Sequence, residues 1–141
     1  YGLEAGKYRL ALKTPKDQII NVEYTRDKSK KKAAYKKSKA INLKSDIDSI
    51  YTSTEKAARW YKASVSSTKK RKAVTLSKDS VGGGFKFCVY QKGKRLKTVK
   101  VTKNDKVKTV KLPKKKGAYY VKVTKLTSKT TGAYYLGTYT Y

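Results

Sequence analysis

Aromatic and lysine side chains are the residues of this 141-residue chain whose types and spacing could bind a ligand. The chain holds 13 tyrosines and one tryptophan, and lysine supplies all but five of its 37 basic side chains. Aromatic faces stack on the apolar faces of sugar rings, and ammonium groups pair with carboxylate, sulfate or phosphate. The combination predicts a binding surface for an acidic polymer.

Strand periodicity predicts which of these side chains point outwards, because successive residues of a strand face opposite sides of the sheet. Within 59–65, for example, Tyr61, Ala63 and Val65 share one face. The same alternation in the other strands gives the predicted ligand-binding set: Trp60, Lys62, Lys86, Tyr120, Lys122, Tyr135 and Tyr139. Two alternatives stay open. Outward tyrosines and lysines also stabilise a sheet by pairing across strands, and the set could be divided between two sheets.

The residues needed for catalysis are scarce. The chain has no histidine, which removes the usual general base near neutral pH and most zinc sites. Its nine carboxylates are scattered, and the only close pair, Asp46 and Asp48, is typical of a polar turn. The sequence therefore predicts no enzyme, no catalytic residues, no metal and no cofactor.

The charge is strongly basic, with 37 basic and 9 acidic side chains and a net charge of +28. Lysine runs at 28–32, 36–39, 69–72 and 114–116 would form an electrostatic footprint if several met at one end of the fold. Because base-edge readout favours arginine, the lysine excess indicates diffuse attraction to polyanions, with non-specific nucleic-acid binding as a by-product. A merely compositional origin of the lysines stays open.

Most apolar runs alternate with period two and are rich in Tyr, Val and Thr, which indicates short antiparallel strands. The fold class predicted is all-β, an antiparallel β-sandwich or jelly roll of about 8–10 short strands. The three glycines of 80–85 indicate a turn or a close backbone crossing, and Cys88 is expected to be a small buried hydrophobic residue. Strands are predicted near 7–13, 18–25, 41–44, 58–65, 72–77, 84–91, 95–101, 106–112, 118–125 and 133–140.

The two ends of the chain repeat one pattern, since GLEAGKYRLALK near the start echoes KLPKKKGAYYVKV at 111–123. Recurrence of this kind is typical of tandem modules. We expect residues 1–25 to form a β-hairpin like the end of a preceding repeat, 26–39 to be a lysine-rich linker, and 40–141 to be the sandwich. The hairpin could instead be a pair of strands added to this domain, or a connector that awaits a partner.

Six segments, in order, resemble the bacterial pre-peptidase C-terminal (PPC-like) family, a small secreted β-sandwich found in surface proteins and extracellular hydrolases. The segments are KAINLKSDIDSIYTSTE (39–55), RWYKASV (59–65), AVTLS (73–77), FKFCVYQKGKRL (85–96), KLPKKKGAYYVKV (111–123) and TTGAYYLGTYTY (130–141). The resemblance implies an extracellular or cell-wall-associated protein, and we expect a Gram-positive source. The family's acidic pair before the aromatic strand is replaced here by Lys56-Ala57-Ala58-Arg59, so the resemblance implies no calcium site.

These observations predict a non-catalytic adhesion or binding module that recognises an acidic glycan, mucin or cell-wall polymer. One alternative is a structural repeat or fibre subunit that self-associates through residues 1–25 by strand pairing. Another is an accessory domain of an extracellular hydrolase. The sequence shows no transmembrane segment.

Overall fold

The computed structural model describes residues 33–43, 50–52, 58–79, 82–130 and 132–141, together with positions 7, 9, 11, 13, 19 and 20. A short 3-10 helix, Lys37–Lys39, precedes the strands. The described strands are β1 (Ile41–Asn42), β2 (Ile50–Thr52), β3 (Arg59–Val65), β4 (Lys72–Asp79), β5 (Phe85–Gln91), β6 (Lys94–Val101), β7 (Val107–Lys111), β8 (Gly117–Lys125) and β9 (Ala133–Thr140).

These strands form two sheets, with order β1-β3-β8-β5-β6 in the five-stranded sheet and β2-β9-β4-β7 in the four-stranded sheet. Only the short β1–β3 pair is parallel among the described strands; the others are antiparallel. The two sheets bury their inner faces against each other, so the prediction of an all-β sandwich is confirmed.

The core follows from period-two alternation in the central strands. In β3, Tyr61, Ala63 and Val65 are buried while the residues between them are half-buried or exposed. The same alternation in β5 and β8 buries Phe85, Phe87 and Val89 against Tyr119, Val121 and Val123. The predicted inward faces of these strands are therefore confirmed, and the residues between them form the outer surface.

Strand β2 was not predicted from the sequence, because 45–55 has the polar composition of a turn. The structure pairs it with β9 through Ile50–Tyr135 and Thr52–Ala133. Of the predicted hairpin of 1–25, with strands at 7–13 and 18–25, the structure describes only positions 7, 9, 11, 13, 19 and 20. The rest of that prediction, and the first half of the predicted linker (26–32), lie outside the described residues. Of the described part of that linker, Ala34 is buried and its carbonyl accepts a hydrogen bond from the Trp60 N–H at 2.8 Å.

The glycine segment is a close backbone crossing. A Cβ on Gly84 would lie 2.1 Å from the Val101 carbonyl oxygen, so no larger residue fits without a shift. The buried Thr130 hydroxyl accepts a hydrogen bond from the Gly84 N–H at 3.1 Å and donates one to the Gly84 carbonyl at 2.9 Å. These bonds fix the 127–130 turn to the start of β5. Cys88 is buried, as expected from the sequence.

Among the described strands, β6 and β7 are the sheet edges on one side of the sandwich. They are joined at a corner where Asp105 accepts hydrogen bonds from Thr102 and pairs with Lys108 at 2.7 Å. These contacts hold the pKa of the Asp105 carboxyl well below its usual range, led by the bond to Lys108. Exposed lysines lie along both edges: Lys94, Lys97, Lys100, Lys108 and Lys111. No helix of the described residues is long and apolar enough to cross a membrane.

Candidate functional site

Five of the seven predicted binding residues lie together on the outer face of the five-stranded sheet, which we call the first face: Trp60, Lys62, Lys86, Tyr120 and Lys122. Register brings them together. Trp60 is directly opposite Lys122, and Lys62 is opposite Tyr120. Because these strands are adjacent, the aromatic and cationic side chains alternate across the sheet and along it.

Trp60, Tyr90 and Lys122 form the Trp60 cluster at the centre of this face. The Trp60 and Tyr90 rings have centroids 5.5 Å apart and planes tilted by 45°. The Lys122 Nζ lies 5.6 Å from the Trp60 ring centroid, within the range of a cation–π interaction. All three side chains are half-buried, so each keeps some surface for a ligand.

Tyr90 and Lys37 also contribute to the first face and were not in the predicted set. Tyr90 could have been found, because the alternation that turns Phe87 and Val89 inwards turns Tyr90 outwards. Lys37 could not, since its position depends on how the 3-10 helix 37–39 packs against β3. Its Nζ lies 4.7 Å from the Tyr120 ring centroid.

The charge of the first face is one-sided. Besides the lysines of the set, Lys100 lies opposite Lys86 and Arg95 lies opposite Tyr90 on β6. Only two carboxylates fall within the described ranges, and both are elsewhere: Asp79 on β4 and Asp105 at the β6–β7 corner. The described part of this face therefore presents aromatic rings and positive charge, without a described carboxylate to neutralise it.

Tyr90 stays protonated in this setting at neutral pH. Burial raises its pKa above the usual value, and the neighbouring Cys88 acts in the same direction, while Arg95 opposes them. The Cys88 Sγ also lies 3.4 Å from the Thr98 Oγ1 on β6. The Tyr90 phenol is thus a neutral hydrogen-bond donor and acceptor rather than an anion that would repel a polyanionic ligand.

Tyr135 and Tyr139 lie elsewhere, because β9 belongs to the four-stranded sheet. Both occupy its outer face, where Tyr135 is opposite Ser77 and Tyr139 is opposite Ala73. The predicted set is therefore divided between the outer faces of the two sheets, and these faces point away from each other. Sequence alternation assigned the outward direction of these two tyrosines, and their sheet membership came only from the structure.

One end of the sandwich is formed by the loops 66–71, 92–93 and 112–116. They lie together because β3 ends at Val65, which is opposite Gly117, the first residue of β8. We call this end the loop end. It carries the lysine runs of 69–72 and 114–116, and the run at 28–32 lies outside the described residues. Within the described ranges, no three His, Cys, Asp or Glu side chains are grouped so that they could hold a metal ion.

A scan of the sequence against protein-family models gives no match, and a search of curated proteins gives none either.

Proposed function

We propose that this protein is a non-catalytic, extracellular or cell-wall-associated module that binds an acidic polysaccharide or a related surface polyanion. The observation that supports the proposal most is the Trp60 cluster, in which two rings in contact carry an ammonium group over one of them. A sugar polymer with carboxylate or sulfate groups has both complementary parts: apolar ring faces and anionic substituents.

The cluster is held by regular strands rather than by a mobile loop. Trp60 and Lys122 are paired in register across β3 and β8, and Tyr90 lies on the neighbouring β5. A ligand that meets side chains already held in place loses less of its binding energy to ordering them. The remaining lysines of the first face would add long-range attraction, which salt screens over about 8–10 Å.

The proposal also agrees with the kind of cation present. Lysine ammonium groups are compact, strongly hydrated charges that attract carboxylate, sulfate or phosphate without demanding one geometry. We therefore propose a ligand class and not a single sugar sequence. The resemblance of 39–141 to secreted PPC-like modules supports an extracellular setting and remains part of this proposal.

The test is affinity electrophoresis, followed by binding isotherms, with polygalacturonate and dextran sulfate at low ionic strength. Neutral dextran and polyphosphate are the comparison polymers, because the first lacks charge and the second lacks sugar rings. We expect binding to both acidic polysaccharides, weaker binding to polyphosphate and none to dextran. Failure to bind any acidic polysaccharide at low salt would overturn the proposal.

Variants then locate the site. Trp60→Ala and Lys122→Ala should each weaken polysaccharide binding at the first face about tenfold, the loss expected for a central interface contact. Lys103→Ala is the matched control, because Lys103 is an exposed lysine of the β6–β7 corner and its removal changes the net charge equally. We expect that control to change the affinity by less than about twofold. Equal losses for Lys122 and Lys103 would mean that only net charge matters and that the Trp60 cluster is not the site.

A further inference from the structure

The four-stranded sheet carries a second cluster with the same three parts as the Trp60 cluster. Tyr139, Tyr141 and Lys111 form this Tyr139 cluster. The two tyrosine rings have centroids 5.7 Å apart and planes tilted by 43°. The Lys111 Nζ lies 5.5 Å from the Tyr141 ring centroid. The corresponding values of the Trp60 cluster are 5.5 Å, 45° and 5.6 Å.

From this duplication we infer that the protein binds acidic polysaccharide at two opposed sites, so that one chain bridges two polymer strands. The inference rests on the proposed function and specifies its consequence. It adds a second binding site and makes the module a cross-linker.

The Tyr139 cluster is held by strand register and backbone bonds. Tyr139 and Lys111 both lie opposite Ala73, on β9 and β7, so they flank one position of β4 on the outer face. Tyr141 is fixed to Arg71 by two backbone hydrogen bonds, of 3.0 and 2.9 Å. The rings are therefore positioned by the sheet, as in the first cluster.

Exposure and charge both favour ligand access at this cluster. Tyr139 is 37% exposed and Tyr141 is 45% exposed. Exposed basic side chains adjoin it on the loop end, at Lys69, Lys70 and Arg71. The described carboxylate of the same sheet, Asp79, lies at the opposite end of β4, where it pairs with Ala133.

The two clusters cannot be covered by one polymer segment lying flat. They are on the outer faces of two sheets that pack core to core, and packed sheets are about 10 Å apart, with each outer face directed away from the other. A second segment of polymer is needed to reach the second cluster. Two sites of this kind on one rigid body convert binding into bridging.

The experiment compares short and long forms of one probe. With short oligogalacturonate, isothermal titration should give two bound oligomers per chain. With long polygalacturonate, light scattering should rise to a maximum at an intermediate protein-to-polymer ratio and fall again in protein excess, when each polymer site holds its own protein.

Charge-reversal variants separate bridging from simple charge neutralisation. Lys111→Glu should reduce the stoichiometry to one and abolish the scattering maximum, while binding at the first face continues. The double variant Trp60→Ala with Lys122→Glu should also reduce the stoichiometry to one and abolish the scattering maximum, while binding at the Tyr139 cluster continues. Lys103→Glu, with the same change in net charge outside both clusters, should leave two sites and the scattering maximum in place.

The outcomes distinguish the two proposals. One bound oligomer per wild-type chain, or an equal loss of scattering in the Lys103→Glu and Lys111→Glu proteins, would overturn the two-site inference while the proposed function stands. Absence of any binding would overturn the proposed function itself. The three charge reversals are at exposed or half-buried lysines and Trp60 is half-buried. Circular dichroism of each variant checks that the fold is retained.

Discussion

The hydroxyl of Tyr61 lies 2.6 Å from the hydroxyl of Tyr134 in the centre of the core. Tyr61 belongs to β3 of the five-stranded sheet and Tyr134 to β9 of the four-stranded sheet, so this hydrogen bond joins the two layers. The rings meet edge to face, with centroids 6.4 Å apart, and both side chains are almost fully buried. The bond fixes how the two sheets are placed relative to each other as well as contributing to stability.

A double-mutant cycle should detect this bond. Tyr61→Phe and Tyr134→Phe should each lower the free energy of unfolding by about 1 kcal/mol, since each removes one partner of a buried hydrogen bond. The double variant should lose less than the sum, because the second substitution breaks no further bond between the pair. Urea denaturation measures all four proteins. Strict additivity of the two losses would show that the hydroxyls are not coupled.

Thr130→Val should destabilise the fold more than Thr130→Ser. Valine keeps the volume but removes the hydroxyl that bridges the Gly84 N–H and carbonyl, so the free energy of unfolding should fall by about 1–3 kcal/mol. Serine keeps the hydroxyl and loses one methyl group, at a cost of about 1 kcal/mol. Thermal and urea unfolding compare the two. A valine variant as stable as the serine variant would contradict the bridging role.

The glycines at 84 and 93 should respond differently to alanine. Gly84→Ala places a Cβ against the Val101 carbonyl and should cost at least about 3 kcal/mol or prevent folding. Gly93 has a φ of +81° but no atom within 4 Å of an added Cβ. Its alanine variant should therefore cost only the backbone strain, about 1–2 kcal/mol. Soluble yield and the unfolding midpoint of the two variants measure which substitution is more destabilising. Equal destabilisation by Gly84→Ala and Gly93→Ala would refute the prediction.

Tyr90 should ionise later than an ordinary tyrosine. Its pKa is raised, chiefly by burial, so the neutral phenol is favoured in the folded protein. The resulting stabilisation is fully present below the unfolded-state pKa of about 10 and is lost as the pH rises through the higher folded-state value. Ultraviolet difference titration of the wild type and Tyr90→Phe should show a late-ionising tyrosine that the variant lacks. If the variant instead lacks a tyrosine that ionises early, the pKa of Tyr90 is lowered in the folded protein, which contradicts the expected direction.

Local alternation predicted the directions of side chains well, because burial of one strand face is imposed by the residues of that strand alone. Tyr61 and Phe87 are inward and Lys122 is outward for this reason. Local alternation does not show which strands pair with each other in a sheet. Nothing near Tyr139 in the sequence tells that β9 pairs with β4 and not with β8, since that pairing joins residues far apart in the chain.

The candidate site shows the same division. Five residues of the first face were predicted by alternation and Tyr90 was overlooked, while the contact of Lys37 with Tyr120 depends on the 3-10 helix before β1. The split of the predicted set, and hence the second cluster, required the sheet order. Strand β2 was missed because its pairing with β9 occurs within a segment of turn-like composition.

The lysines along β6 and β7 have a further consequence for the behaviour of the protein in solution. Sheet edges are templates for pairing with other chains, and lysine on an edge prevents this by repulsion between like charges. That protection depends on ionic strength, because salt shortens the reach of the repulsion. Concentrated salt should therefore weaken the proposed polymer binding and at the same time let copies of the chain associate through these edges. Purification by salt elution would then select for aggregates, and a dilute, low-salt buffer with a small competing anion would keep the protein monodisperse.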